Sequence, residues 1–220
     1  MRHDRAMDVP LRAGLAQRLR HETRVLHGRA EASVLMAALI AGTIERDLYV
    51  ALLRNLHALY TALETALGQH RSDPRLRFAT AAPLLRAARI AQDLEALTAN
   101  EPPARAALAP AAIAYERHLA ALAVREPLRL VAHAYVRYLG DLYGGQQLAR
   151  GLRQRFALQG DDGTRFYDFG SPPEVQALRL ALRAGLGAVQ PSPAESDAIV
   201  DEACGAFARH IELFEQLLSR

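Results

Sequence analysis

The chain has 220 residues, half of them hydrophobic, with a formal net charge of +3, one cysteine and no tryptophan. This excludes a disordered chain and an internal disulfide, and arginines scattered without a dense tract argue against a nucleic-acid partner. No run reaches the roughly 18 apolar residues of a membrane span, and neither "MRHDRAMDVP" nor the end at Arg220 carries an apolar leader or tail, so the expectation is a cytoplasmic monomer with no membrane partner.

Abundant alanine and leucine with few β-branched residues favour helices. The pattern predicts an all-α fold of seven to nine helices in one domain over 11–220, after an N-terminal extension over 1–10 expected to be flexible. Leu11, Leu15, Leu19 and Leu26 mark a helix over 11–27, and a short one follows over 31–41. Thr43 is the expected cap of a helix over 44–68, whose Leu48, Leu52, Leu56, Leu59 and Leu63 keep a 3.6-residue period. "HRSDPRL" breaks it. Pro83 opens a helix to Thr98, "NEPP" stops that one, and another covers 104–124. A long helix starts at Pro127 and runs to Leu158. "QGDDG" is a turn and "TRFYDFG" a short extended piece. Ser171-Pro172-Pro173-Glu174 and Ser192-Pro193-Ala194-Glu195 each read as a capping box with proline at the first helical position, the second opening a helix over 193–218.

The helix from Pro127 holds Gly140, Gly144 and Gly145 in its interior. Three glycines there destabilise a helix by about 2–3 kcal/mol relative to alanine. Either close helix packing or a flat ligand lying on bare backbone offsets that, and glycine count alone does not choose. Arg137 and Asp141, spaced i, i+4, share a face near these glycines, in a setting that includes Tyr135, Tyr138 and Tyr143. A surface ion pair is one reading; polar groups holding ordered water over a ligand is the other.

Arg20, Arg24, His27 and Glu31 make one stripe if the first helix continues past Gly28. The stripe is either a solvated face or an imidazole that binds metal, a carboxylate that orients it and two cations for anionic arms. His133, in the apolar run "LRLVAHAY", reads as a buried hydrogen-bonded core residue. His3, His21, His57, His70, His118 and His210 read as surface or helix-face residues, and Cys204 as a small core residue. No CxxC, HExxH or paired-histidine spacing occurs. One histidine suffices for a metal only where a macrocycle supplies the other ligands, which means haem.

"LVAHAYVRYLGDLYGGQQL" (130–148) closely resembles the signature of the haem oxygenases, and "LRHETRVLHGRAE" (19–31) resembles their proximal-histidine segment. "LHALYTALE" (56–64), "AQDL" (91–94), "FYDFGSP" (166–172) and "HIELFEQL" (210–217) follow in the family's order and spacing, so the resemblance covers nearly the whole chain from Leu11. It implies haem, iron protoporphyrin IX, as both cofactor and substrate, sandwiched between a proximal helix and a kinked glycine-rich distal helix. It implies cleavage at a meso carbon to biliverdin, carbon monoxide and ferrous iron, with dioxygen and electrons from a reductase or ferredoxin.

By the same resemblance His27 is the iron ligand and Glu31 the acceptor for its other nitrogen. Gly140 and Gly144 let the distal backbone approach the haem and bend over it. Asp141 holds a distal water, with Arg137, Tyr60 and Tyr115 completing a network. Arg20, Arg24, Arg179 and Arg183 match basic positions near the propionates, and Tyr135 counts among the haem-binding residues. Tyr143 departs from the small residue common at its position, and Arg179 stands where lysine is familiar, so the cleaved meso position is left open. A carrier or sensor that keeps the fold without turnover is the alternative, and a helical interaction module is a third reading.

Overall fold

Two long helices organise the chain, and their sequences explain why. Arg46–Gln69 buries Tyr49, Leu52, Leu53, Leu56, Leu59, Tyr60, Leu63 and Leu67, one face at steps of three and four. Pro193–Leu218 does the same with Ile199, Ala203, Ala206, Phe207, His210, Leu213, Phe214 and Leu217. The computed structural model describes residues 14–99 and 107–219. Within them the order is α1 Leu15–Glu22, α2 Arg24–Glu31, α3 Val34–Ala41, α4 Arg46–Gln69, α5 Ala87–Thr98, α6 Pro110–Arg125, α7 Leu130–Ala134, α8 Gly140–Phe156, α9 Pro172–Ala188 and α10 Pro193–Leu218. No strand occurs among the described residues. A π turn over Tyr135–Leu139 joins α7 to α8, so the three read as one rod and the helices number nine among the described residues.

α4 packs on α5 and α6, while α10 packs on α7, α2, α6, α1 and α3. Arg18 of α1 ties the N-terminal arm to the start of α10, donating to Ser196 Oγ at 2.7 Å and Asp197 Oδ1 at 2.6 Å. α3 ends on Gly42 in the left-handed region (φ 65°), where no side chain is tolerated cheaply, and its backbone there abuts Gly151 of α8. These contacts hold α2, α3, α8 and α10 around a common space.

Several expectations need correction. The helix expected over 11–27 is two: Thr23 breaks it with φ −86° and ψ −5°, its hydroxyl donating to the Leu19 carbonyl at 2.7 Å. Leu11, His3 and the 1–10 extension lie outside the described residues, as do "NEPP" and residues 104–106. The helix expected from 104 starts at Pro110. Thr43 does not cap α4; Glu45 occupies that position, and the Thr43 hydroxyl donates to Ala38 in α3 at 3.4 Å. Pro83 lies in a 3-10 turn, and α5 begins only at Ala87. "TRFYDFG" is not extended but holds a 3-10 turn over Arg165–Tyr167. Ser171–Glu174 and Ser192–Glu195 are both complete capping boxes.

Candidate functional site

A cavity of ≈ 350 Å³ opens among α2, α3, α8 and α10. His27 lines it from α2, Gly140 and Gly144 from α8, and Phe207 and His210 from α10. The glycines of α8 divide by role. A Cβ added at Gly140 or Gly144 would meet nothing within 4 Å, whereas one at Gly145 would lie 3.2 Å from Tyr167 Cδ1 and 3.3 Å from its Cβ. The glycines thus divide: Gly140 and Gly144 leave bare backbone on the cavity wall, and Gly145 lets Tyr167 pack.

The π turn sets which residues of α8 reach the cavity. One extra residue in a turn rotates the remainder of the rod by about 100°. The departure from α geometry falls on Tyr135–Leu139 rather than on a glycine. It brings Arg137, Gly140, Asp141 and Gly144 to one wall.

Asp141 is 8% exposed and has two partners, Arg137 and Tyr60, which also bond to each other. Arg137 Nη2 donates to Asp141 Oδ1 at 3.0 Å, Arg137 Nε donates to the Tyr60 hydroxyl at 2.9 Å, and that hydroxyl donates to Asp141 Oδ2. Burial pushes the Asp141 carboxyl above the usual range, with Arg137 and the Tyr60 hydroxyl pulling it back. Burial likewise raises the Tyr60 phenol. Tyr115 is not in this set. Its hydroxyl meets His133 Nδ1 at 2.8 Å, and His133 Nε2 meets Glu202 Oε1 at 3.1 Å, with His118 Nε2 at 2.6 Å and Arg129 Nη2 at 2.7 Å on the same carboxylate. His133 is thus the buried, bonded residue expected.

His27 lies on α2, which does continue past Gly28 to Glu31. Its Nδ1 is 3.4 Å from Glu31 Oε2, and its ring meets Phe207 edge-on at 5.7 Å between centroids. That leaves Nε2 as the atom able to meet a metal. Arg20 and Arg24 are exposed on α1 and α2 and lie outside the cavity wall, with the Thr23 break between them. On α9, Arg179 donates through Nε and Nη2 to the Leu142 carbonyl at 3.2 and 2.5 Å. Its guanidinium lies 4.4 Å over the Tyr143 ring and that of Arg183 lies 5.4 Å from it, so the unfamiliar tyrosine is where both cations stack. Tyr135 packs against the core rather than on the cavity wall, which corrects its place among the ligand contacts.

Sequence reasoning missed two parts of the site. His210, read as a surface or helix-face residue, is 2% exposed and lines the cavity; its place in the buried face of α10, seven residues from Ala203 and three from Phe207, was the available signal. Phe166 and Tyr167 form a second wall. Their turn is pinned by Asp93, which accepts from the Arg165 and Phe166 backbone at 2.8 and 2.7 Å, and by buried Arg86, which donates to the Phe166 and Asp168 carbonyls at 3.3 and 2.6 Å. No local pattern announces such tertiary anchors. Cys204 is half-buried at the α1–α10 seam rather than in the core, its sulfur 4.0 Å from the Glu22 carbonyl.

The residues fit a haem. The cavity offers a single imidazole backed by a carboxylate, mainly apolar walls and a stretch of side-chain-free backbone, and haem brings its own four nitrogen ligands. Among the described residues no helix is long and apolar enough to cross a membrane. A family model described as Heme oxygenase matches residues 13–216. The chain is 35% identical over 206 residues to Heme oxygenase 2 of Synechocystis, covering 92% of this chain and 82% of that protein. It is 31% identical over 205 residues to Heme oxygenase 1 of Nostoc, covering 93% and 86%. The crystal structure of heme oxygenase-2 from Synechocystis in complex with heme and NO superposes with a TM-score of 0.88 at 34% identity, covering 94% of this chain and 86% of that one.

Proposed function

The chain belongs to the haem oxygenase family, and from that premise we propose how its own residues hold haem and serve its cleavage. The protein is an oxidoreductase that converts haem to biliverdin, and haem is both substrate and prosthetic group. Bound haem supplies the iron at which dioxygen is activated and the meso carbon that is oxidised.

His27 Nε2 takes the iron, and Glu31 accepts the Nδ1 proton, fixing the ring's tautomer and orientation. Gly140 and Gly144 would leave side-chain-free backbone beside a bound haem, giving dioxygen space there. Asp141 acts through water: Arg137 and Tyr60 fix both of its oxygens, and its burial raises its readiness to hold and pass a proton. Arg179 and Arg183, stacked on Tyr143, supply positive charge for the propionates, and Arg20 and Arg24 add to the field around α2. Tyr115 stays outside the Asp141 network and braces the Glu202 cluster through His133. Electrons come from a reductase or ferredoxin, and the chain works as a cytoplasmic monomer with dioxygen as co-substrate.

The observation that carries this reading is the open space at Gly140 and Gly144 in a cavity that also holds His27. The test adds hemin, a reductase with its reductant and oxygen to the purified protein, follows the Soret band and identifies the pigment by chromatography. Biliverdin is expected. A Soret shift without pigment selects a carrier, and no shift refutes haem binding. In His27→Ala the iron bond weakens and added imidazole partly restores it; a spectrum identical to wild type rejects that ligand. Asp141→Ala keeps haem but consumes reductant and oxygen without yielding biliverdin, and an unchanged pigment yield refutes its role.

A further inference from the structure

One aromatic ring holds two cations of α9 beside the cavity. Arg179 and Arg183 sit one turn apart, and their guanidinium carbons lie 4.4 and 5.4 Å from the centre of the Tyr143 ring. Like charges at this spacing repel. Among the described residues neither guanidinium has a carboxylate within ion-pair reach. Arg179 is fixed a second time, by the Leu142 carbonyl. Arg183 has no hydrogen-bond partner among the described residues, so the ring is what holds it. Tyr143 itself is 50% exposed, so it is not there to fill the core. It stands on α8 between Asp141 and Gly144, both of which line the cavity.

Stacking decides what the cations can still do. A guanidinium is planar and carries its N–H groups at its edge, so a ring against its face leaves that edge able to bond. Arg179 commits Nε and Nη2 to Leu142 and keeps Nη1, while Arg183 keeps all its donors. The group that matches a guanidinium edge is a carboxylate, and haem carries two. A freely moving arginine loses rotamer entropy when it binds one, and a ring that orders it beforehand removes part of that loss. Lysine would not serve both ends, since its ammonium has no flat face to stack and no fork.

We propose that Tyr143 is a positioning residue for haem, its ring pre-ordering Arg179 and Arg183 so that their free donors meet the propionate carboxylates. The proposal rests on the chain binding haem in this cavity. The ring acts through the two cations and touches no reacting atom. Its removal leaves both charges on α9 but no longer ordered, so the loss falls on the charged arms of haem and not on the fit of the porphyrin.

Hemin and hemin dimethyl ester, which lacks the two charges, are titrated by the Soret band into wild type, Tyr143→Phe and Tyr143→Ser. Tyr143→Phe keeps the ring and is expected to bind hemin as wild type does. Tyr143→Ser is expected to bind hemin roughly three- to tenfold more weakly, the contribution of two exposed cation–ring contacts, and the ester unchanged. Unchanged hemin affinity in Tyr143→Ser overturns the proposal, as does an equal loss for both ligands, which marks a damaged pocket. A Tyr143→Phe affinity as low as that of Tyr143→Ser overturns it too, by placing the effect on the hydroxyl. In the haem-free protein, ring currents are expected to move the side-chain proton resonances of Arg179 and Arg183 upfield in wild type and Tyr143→Phe but not in Tyr143→Ser. Their absence from wild type overturns the proposal whether or not any variant folds. A wild-type chain that leaves the hemin Soret band unmoved overturns haem binding, and the role of Tyr143 with it, even where those ring-current shifts are present.

Discussion

At the scale of single residues, adjacent glycines with the same sequence signature have opposite consequences. Gly144→Ala places its methyl in open space and removes glycine's excess backbone freedom, so the haem-free protein gains about 0.5–1 kcal/mol in urea unfolding while its hemin affinity falls. Gly145→Ala gains less or nothing, because its methyl presses on buried Tyr167. If both variants gave the same pair of changes, the division between cavity glycine and packing glycine would be wrong. The sequence makes three glycines in a helix conspicuous but cannot sort them, because the sorting depends on Tyr167, more than twenty residues away. The stripe His27–Glu31 and the pair Arg137–Asp141 were legible because i, i+4 spacing is local. His210 was not, because a polar residue on a buried face reads as exposed until its neighbours are known.

Among the elements, the long helices α4, α9 and α10 were legible from apolar period and capping residues, since both act within a few turns of the chain. The Thr23 break, the 3-10 turns around Pro83 and Phe166 and the π turn were not; the Phe166 turn is held by Asp93 and Arg86, and Arg137 in the π turn bonds to Tyr60, all distant in sequence. The π turn has the largest functional effect. Deleting Leu139 removes the turn's extra residue, so the rod can close to an unbroken α-helix that keeps Asp141 and Gly144 on their present wall. Helical circular dichroism and the hemin Soret shift are then both retained; a deletion variant that keeps its helix but no longer shifts the Soret band would show that the turn does not set the register. Arg86 and Asp93 anchor the Phe166 wall from α5 and its approach. Arg86→Ala leaves four carbonyls without that donor and should lower stability by about 2–4 kcal/mol in urea unfolding.

For the molecule as a whole, the buried Glu202 cluster makes stability depend on acid. Burial works against its carboxylate, but hydrogen bonds from His133 and His118 prevail and hold its pKa down at about 2. Such a group stabilises the fold above its unfolded value of about 4.3 and loses that contribution as pH falls through about 2. Unfolding free energy should therefore drop by on the order of 3 kcal/mol from this group across that window, and Glu202→Gln should lack that part of the slope. The cavity has a consequence of another kind. Its walls come from α2, α3, α8 and α10, and the molecule that joins them is also the one destroyed by the reaction. Each turnover therefore removes the brace that mass action supplies to the native state. Heat resistance should climb when hemin is added and slide back as green pigment is released, so that a catalyst starved of its next substrate is the one most exposed to proteolysis.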